Sequence, residues 1–256
     1  MTTTRQNGSL YTSFQKNIAT IEFGHPASNS FPSELLERLT KELNSIAKND
    51  IISVIILKSE GEKVFCAGAS FDELVAISNL EEGKRFFAGF ANVINAMRTC
   101  GKLIIGRVQG KTVGGGVGLV AACDYVLATE NAAVKLSEFT IGIGPFVIEP
   151  AVKRKIGVAG LSELTLDATD WKNAYWAKEK GLYAKVFETI KELDEEVEIF
   201  ASKLASYNPS ALAEMKKVLW ENTQNWDDLL AERAAISGEL VLSEFTKNAL
   251  AKFFKK

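Results

Sequence analysis

Three consecutive glycines, Gly114, Gly115 and Gly116, separate a strand-like run, Leu103–Val108, from an apolar, helix-like run, Val117–Cys123. A helix that begins there presents unpaired N–H groups and the positive end of its dipole. Such a place can hold a phosphate, or an oxygen that becomes negative during a reaction. It can also serve tight packing alone. A second small-residue turn, Phe65-Cys66-Ala67-Gly68-Ala69-Ser70, again stands just before a helix. Two such turns converging on one carbonyl oxygen would make an enolate easy to form. That chemistry needs an acid/base group as well. Glu138, in Val134-Lys135-Leu136-Ser137-Glu138, follows a short strand in an apolar setting. Burial would raise its pKa and suit it to proton transfer near neutral pH. Spacing alone favours a plainer reading, a surface carboxylate or a charge at a helix N-terminus.

The elements that must position these residues are legible in outline. Leu10–Phe14 and Ile18–Phe23 alternate and read as a hairpin about Lys16-Asn17. Ser33–Ala47 carries Leu35, Leu36, Leu39, Leu43 and Ile46 at helical spacing, with Ser30 or Ser33 as N-cap. Ile51–Leu57 is a β-branched run of the kind buried on both faces of a sheet. Glu60–Ser70 reads as a loop, and Phe71–Ser78 and Glu81–Arg98 as helices. Tyr125–Ala128 and Ala133–Leu136 read as short strands. Beyond Gly157 the spacing predicts helices over Leu161–Leu166, Trp171–Lys180, Ile190–Tyr207, Pro209–Asn222 and Trp226–Phe254. The strand–helix alternation of the first part argues for a parallel sheet covered by helices. The pattern divides the chain into an α/β core, 1–188, and a helical region, 189–256.

The 256 residues are 46% apolar and 24% charged with a net charge of -2, which suits a globular domain and offers no basic face for nucleic acid. No apolar run is long enough to span a membrane, and Met1–Gly8 is polar, so neither an anchor nor a signal peptide is expected. Cys66, Cys100 and Cys123 are too few and too scattered for a disulfide framework or a metal site. A reducing, cytoplasmic setting is the expectation.

Phe65–Ser70, then Val108–Asp124 with V-Q-G-x-x-x-G-G-G, then Ser137–Ile143, together resemble the crotonase (enoyl-CoA hydratase/isomerase) superfamily. The resemblance runs from the hairpin to the last helix. It implies a ββα spiral core with a helical C-terminal trimerisation region, and an acyl-CoA thioester as substrate. No cofactor is implied beyond the coenzyme A of the substrate, and a homotrimer or homohexamer is the implied assembly. It implies further that the N–H groups of Ala69 and Gly115 hold the thioester oxygen, with Phe65, Ala67, Gly68, Gly114 and Gly118 along the substrate. Glu138 matches one family glutamate. The position of the other, two residues after the triple glycine, is Gly118. An isomerase that shifts a double bond can work with one base, whereas a hydratase must also orient water. A narrower resemblance, carried by G-G-G-V-G-L-V-A-x-C-D, S-E-x-x-x-G-I-x-P and Ile148-Glu149-Pro150, points to bacterial methylglutaconyl-CoA hydratase-like members that also lack the first glutamate. The reading therefore puts hydratase ahead of isomerase, with a non-catalytic acyl-CoA binder as a third possibility.

Other residues have plainer expectations. His25 is a structural histidine before it is a contact to a coenzyme A phosphate. Asp72 and Glu73 cap the helix that follows the Phe65–Ser70 turn, and Glu149 belongs to solvent or an N-terminus. Cys66 is a packing residue, with no histidine nearby to activate it. Phe86, Phe87, Phe90 and Phe146 suggest an apolar pocket, and a carboxylated acyl chain would look to Lys84 or Arg85. Trp220, Trp226, Phe200 and Leu204 suit a core or a trimer interface. The basic end, Lys252–Lys256, is either a solvated tail or a contact to coenzyme A.

Overall fold

The computed structural model describes residues 7–252. Strands β1 (Ser9–Gln15) and β2 (Ile18–Gly24) pair antiparallel across Lys16-Asn17. Lys16 takes φ 52° there, the positive angle that a two-residue hairpin turn requires. Helix α1 (Ser33–Ala47) buries Leu35, Leu36, Leu39, Leu43 and Ile46.

From here the chain climbs in a repeated strand–strand–helix unit. Strands β3 (Val54–Ser59) and β4 (Val64–Cys66) lead to α2 (Phe71–Ala76) and α3 (Leu80–Thr99). Strands β5 (Leu103–Val108) and β6 (Lys111–Val113) lead to α4 (Gly115–Ala122). Strands β7 (Tyr125–Thr129) and β8 (Val134–Lys135) lead to a 3-10 turn, Glu138–Ile141, and to α5 (Glu149–Leu166). The first strand of each unit joins a six-stranded sheet of order β1-β2-β3-β5-β7-β9; the second joins a three-stranded sheet of order β4-β6-β8. After the hairpin the pairings between these strands are all parallel, and a single antiparallel bridge joins Val134 to Lys172. This is the ββα spiral of the crotonase fold. It is completed by α6 (Ala174–Glu179), β9 (Lys185–Phe187), α7 (Ile190–Ala205), α8 (Pro209–Leu219), α9 (Trp226–Leu240) and α10 (Glu244–Ala251).

The β-branched run of β3 is buried on both faces because each face has its own cover. Ile55 and Leu57 join the main core with the apolar stripes of α1, α3 and α4. Val54 and Ile56 face Leu193, Val197 and Ala201 of α7. Trp220, Trp226, Leu230 and Ala234 enter the main core as well, so α9 packs back onto the spiral although it lies beyond residue 188. Phe200 and Leu204 pack around the α7 cluster.

Several boundaries differ from the sequence reading. Ile51 is 69% exposed in a turn, and the strand starts at Val54. The loop over Glu60–Ser70 contains β4, a three-residue strand too short to alternate visibly. The helix expected over Leu161–Leu166 begins at Glu149 and kinks at Gly157, φ 67°. Of Trp171–Lys180 only Ala174–Glu179 is helical. The long helix from Trp226 breaks before Ser243, whose hydroxyl accepts the Thr246 N–H and starts α10. Phe254 and the rest of the basic end beyond Lys252 lie outside the described residues.

Candidate active site

Strands β4 and β6 are neighbours in the small sheet, so the turns that follow them meet. Gly68 has φ 88°, an angle side chains resist, and a Cβ on it would stand 3.1 Å from the Val113 carbonyl and 3.5 Å from the Gly115 nitrogen. The backbone amides around both turns are spent. Gly68 N donates to Cys66 Sγ, Ser70 N to Phe31 O, Gly114 N to Lys135 O and Val117 N to Gly114 O. Among the described residues, Ala69 N and, in the first turn of α4, Gly115 N and Gly116 N take part in no such bond. Both of these adjacent turns thus present unpaired N–H groups, Ala69 on the first and Gly115 at the start of α4 on the second. The other end of α4 is anchored. The Asp124 carboxylate accepts Lys216 Nζ at 2.7 Å, Trp220 Nε1 at 2.8 Å and Ile104 N at 2.7 Å.

Glu138 is brought in by β8. That strand pairs with β6 and ends against the glycine turn through the Gly114 N to Lys135 O bond. The 3-10 turn then aims the glutamate back, and Ile143 N closes onto its carbonyl. A Cβ on Gly114, φ 55°, would lie 3.1 Å from Glu138 Oε1, so the carboxyl stands directly over the glycine turn. The residue as a whole is only partly buried, yet its Oε2 is sealed from water with no hydrogen-bond partner. Burial pushes its pKa up to about 7. A carboxyl poised there both takes and gives a proton at neutral pH.

These groups share one cavity of about 260 Å³. Ala67, Gly68, Ala69, Gly114, Gly115 and Glu138 line it, together with Phe71, Phe86, Phe87, Phe90 and Phe146. Two residues expected along the substrate are not in its wall. Phe65 is fully buried in the main core, edge-on to Phe23 at 5.3 Å. Gly118 is in the middle of α4, and a side chain there would run into Ile148. Ile148 itself lines the cavity, so the ground that a carboxylate at position 118 would need is filled by a hydrocarbon. The sequence carried no sign of that exchange, since the two positions are thirty residues apart. Ser137, Thr140 and Ser237 are further polar residues of the wall, and no local pattern marked the last.

The remaining candidates have structural partners. His25 Nδ1 accepts Ala27 N at 3.2 Å and lies 3.1 Å from Ser30 Oγ. Its turn borders the site, because Ser28 O accepts Ala67 N. The Glu73 carboxylate accepts Ser33 N and so caps α1. Glu149 pairs with Lys153 at 3.5 Å. The Cys66 thiol is pushed up to about 12 by burial, which keeps it neutral. Among the described residues no group of ligands for a metal ion occurs, and no helix is long and apolar enough to cross a membrane.

A family model described as enoyl-CoA hydratase/isomerase matches residues 13–252. The chain belongs to the enoyl-CoA hydratase/isomerase family. It is 31% identical over 206 residues to the peroxisomal Delta(3,5)-Delta(2,4)-dienoyl-CoA isomerase of Arabidopsis thaliana, covering 75% of this chain and 72% of that one. It is 28% identical over 242 residues to the short-chain-enoyl-CoA hydratase of Clostridium acetobutylicum, covering 93% and 92%. The crystal structure of an enoyl-CoA hydratase from Bacillus halodurans superposes with a TM-score of 0.88, covering 95% of this chain and 99% of that one at 20% identity. The family covers both hydratases and isomerases, and both act on enoyl-CoA thioesters.

Proposed function

We propose that this family member adds water to a 2-enoyl-CoA, using Glu138 alone as acid and base. The observation that carries the reading is the lone carboxyl, its Oε2 unpartnered, above two unpaired N–H groups. The thioester oxygen lies between Ala69 N–H and Gly115 N–H. As a water oxygen bonds to C3, Glu138 carboxylate takes the water's proton, and the π electrons move to the thioester oxygen as an enolate. The protonated Glu138 then gives that proton to C2, and the enolate collapses to the thioester. Hydrogen and hydroxyl arrive on the same face because one group delivers both. Coenzyme A comes with the substrate, and the reaction as written balances without another cofactor. A homotrimer or homohexamer is part of the proposal, supported by the exposed apolar residues Val158, Leu166 and Ile199 of α5 and α7. So is a reducing, cytoplasmic compartment, in which its three unpaired cysteines would remain thiols.

One observation favours a second reading. Ile148 fills the ground beside Gly118, which leaves water with no second carboxylate to hold it. A Δ3-Δ2-enoyl-CoA isomerase needs no water, since the same carboxyl removes a proton at C2 and returns it at C4. The experiment is absorbance of the conjugated thioester with crotonyl-CoA, 3-methylglutaconyl-CoA and a 3-enoyl-CoA. Loss with a 2-enoyl substrate supports hydration. Gain with the 3-enoyl substrate alone refutes hydration and selects the isomerase. Thioester binding without turnover on any of them refutes both and selects a non-catalytic binder.

A further inference from the structure

The proton-transfer chemistry leaves one wall of the cavity unused. Leu74, Phe86 and Ile143 line the cavity and also belong, with Val241 and Leu250, to an apolar cluster under α9 and α10. A coenzyme A tail, with its phosphates, has no place against that cluster, so the acyl chain is what meets it. Ser237 of α9, 1% exposed, is the one residue beyond position 148 in the wall. It gets there because α9 lies close on α3 at one point, where glycine meets glycine. A Cβ on Gly83 would stand 2.9 Å from the Gly238 Cα, and one on Gly238 would stand 2.8 Å from Lys84 N. Charge is missing from this wall. Among the described residues Glu138 is the only titratable one lining the cavity. The two cations that a carboxylated chain would seek are elsewhere. Lys84 faces Glu81 at 3.9 Å, and Arg85 lines a neighbouring cavity of about 250 Å³ with Ser33, Glu73 and Glu82, on the other side of Phe86.

We propose that α9 is the specificity element of the site: seated on α3 through the Gly83–Gly238 contact, it closes the acyl end with Ser237 and selects uncharged acyl chains over those ending in a carboxylate. The inference rests on the acyl-CoA reading above and names its substrate class. A carboxylate brought into this wall would lose its water, gain the Ser237 hydroxyl as donor, and stand in the same cavity as Glu138 with no cation among the described lining residues to pair it.

The test begins with binding, which needs no turnover. Calorimetry of the full-length wild type with butanoyl-CoA and with glutaryl-CoA compares two saturated thioesters that differ in the terminal carboxylate. Glutaryl-CoA is expected to bind about a hundred-fold more weakly. Equal binding, or a preference for glutaryl-CoA, overturns the inference; the preference would point to Arg233, whose Nε is sealed without a partner one turn before Ser237. Binding of neither overturns the acyl-CoA reading itself. In turnover, Ser237→Leu is expected to lower kcat/KM for octenoyl-CoA about ten-fold or more relative to that for crotonyl-CoA. Ser237→Ala, which adds no bulk, keeps the test open if the leucine variant fails to fold, and is expected to raise the ratio of octenoyl to crotonyl kcat/KM. A uniform change across chain lengths, or none, in the variant that folds removes α9 from the specificity of the site.

Discussion

Glu138→Gln should stabilise the protein at high pH while it abolishes the reaction. Burial lifts the carboxyl from an ordinary 4.5 to about 7. A group held that way binds its proton more tightly folded than unfolded, so it favours the folded state below about 4.5 and that advantage is lost as the pH rises through 7. The difference of about 2.5 pKa units corresponds to roughly 3 kcal/mol, of which about 2.5 kcal/mol is lost between pH 5 and pH 8. Glutamine carries no such charge. Its own cost, an amide with unfilled hydrogen bonds of about 1–3 kcal/mol, does not vary with pH and cancels when the two pH values are compared. Urea unfolding of wild type and variant at both pH values should therefore show the variant gaining about 2.5 kcal/mol relative to wild type on going from pH 5 to pH 8. Turnover should fall by about 10²–10⁴-fold, the usual worth of a positioned acid/base group. Stability curves that stay parallel would show that the Glu138 carboxyl is not desolvated. Near-wild-type turnover would refute its role outright.

Two further changes test the frame around it. Gly118→Ala drives a methyl into Ile148 and should cost about 1–3 kcal/mol in urea unfolding, and the Gly118→Ala, Ile148→Ala double variant should cost less than the sum of the two single changes; strict additivity would mean the two do not touch. Asp124→Asn leaves the buried Lys216 ammonium without its charge partner and should cost about 3–5 kcal/mol, whereas Asp124→Asn with Lys216→Met should cost less; a single-variant cost under about 1 kcal/mol would show that the pair is solvated.

The parts of this protein that were legible in its sequence are those decided by local backbone chemistry. The hairpin, the apolar stripe of α1 and the two glycine turns each show in a window of a few residues, because turn angles and helical spacing act over that range. Residues with the wrong signal for their role were misread for the same reason. β4 is too short to alternate, Phe65 is adjacent to a site turn yet faces the core, and Gly118, put along the substrate by the family resemblance, is buried in mid-helix outside the cavity wall. What only the tertiary structure decided is which of these local pieces meet. The parallel pairing of β4 with β6 and of β6 with β8 brings residues 69, 115 and 138 together. The close seat of α9 on α3 carries Ser237 into the same cavity. Ile148 fills the ground beside Gly118 from across the chain. Sheet register and helix contact are set by burial summed over the whole core, and no short stretch of sequence contains that sum.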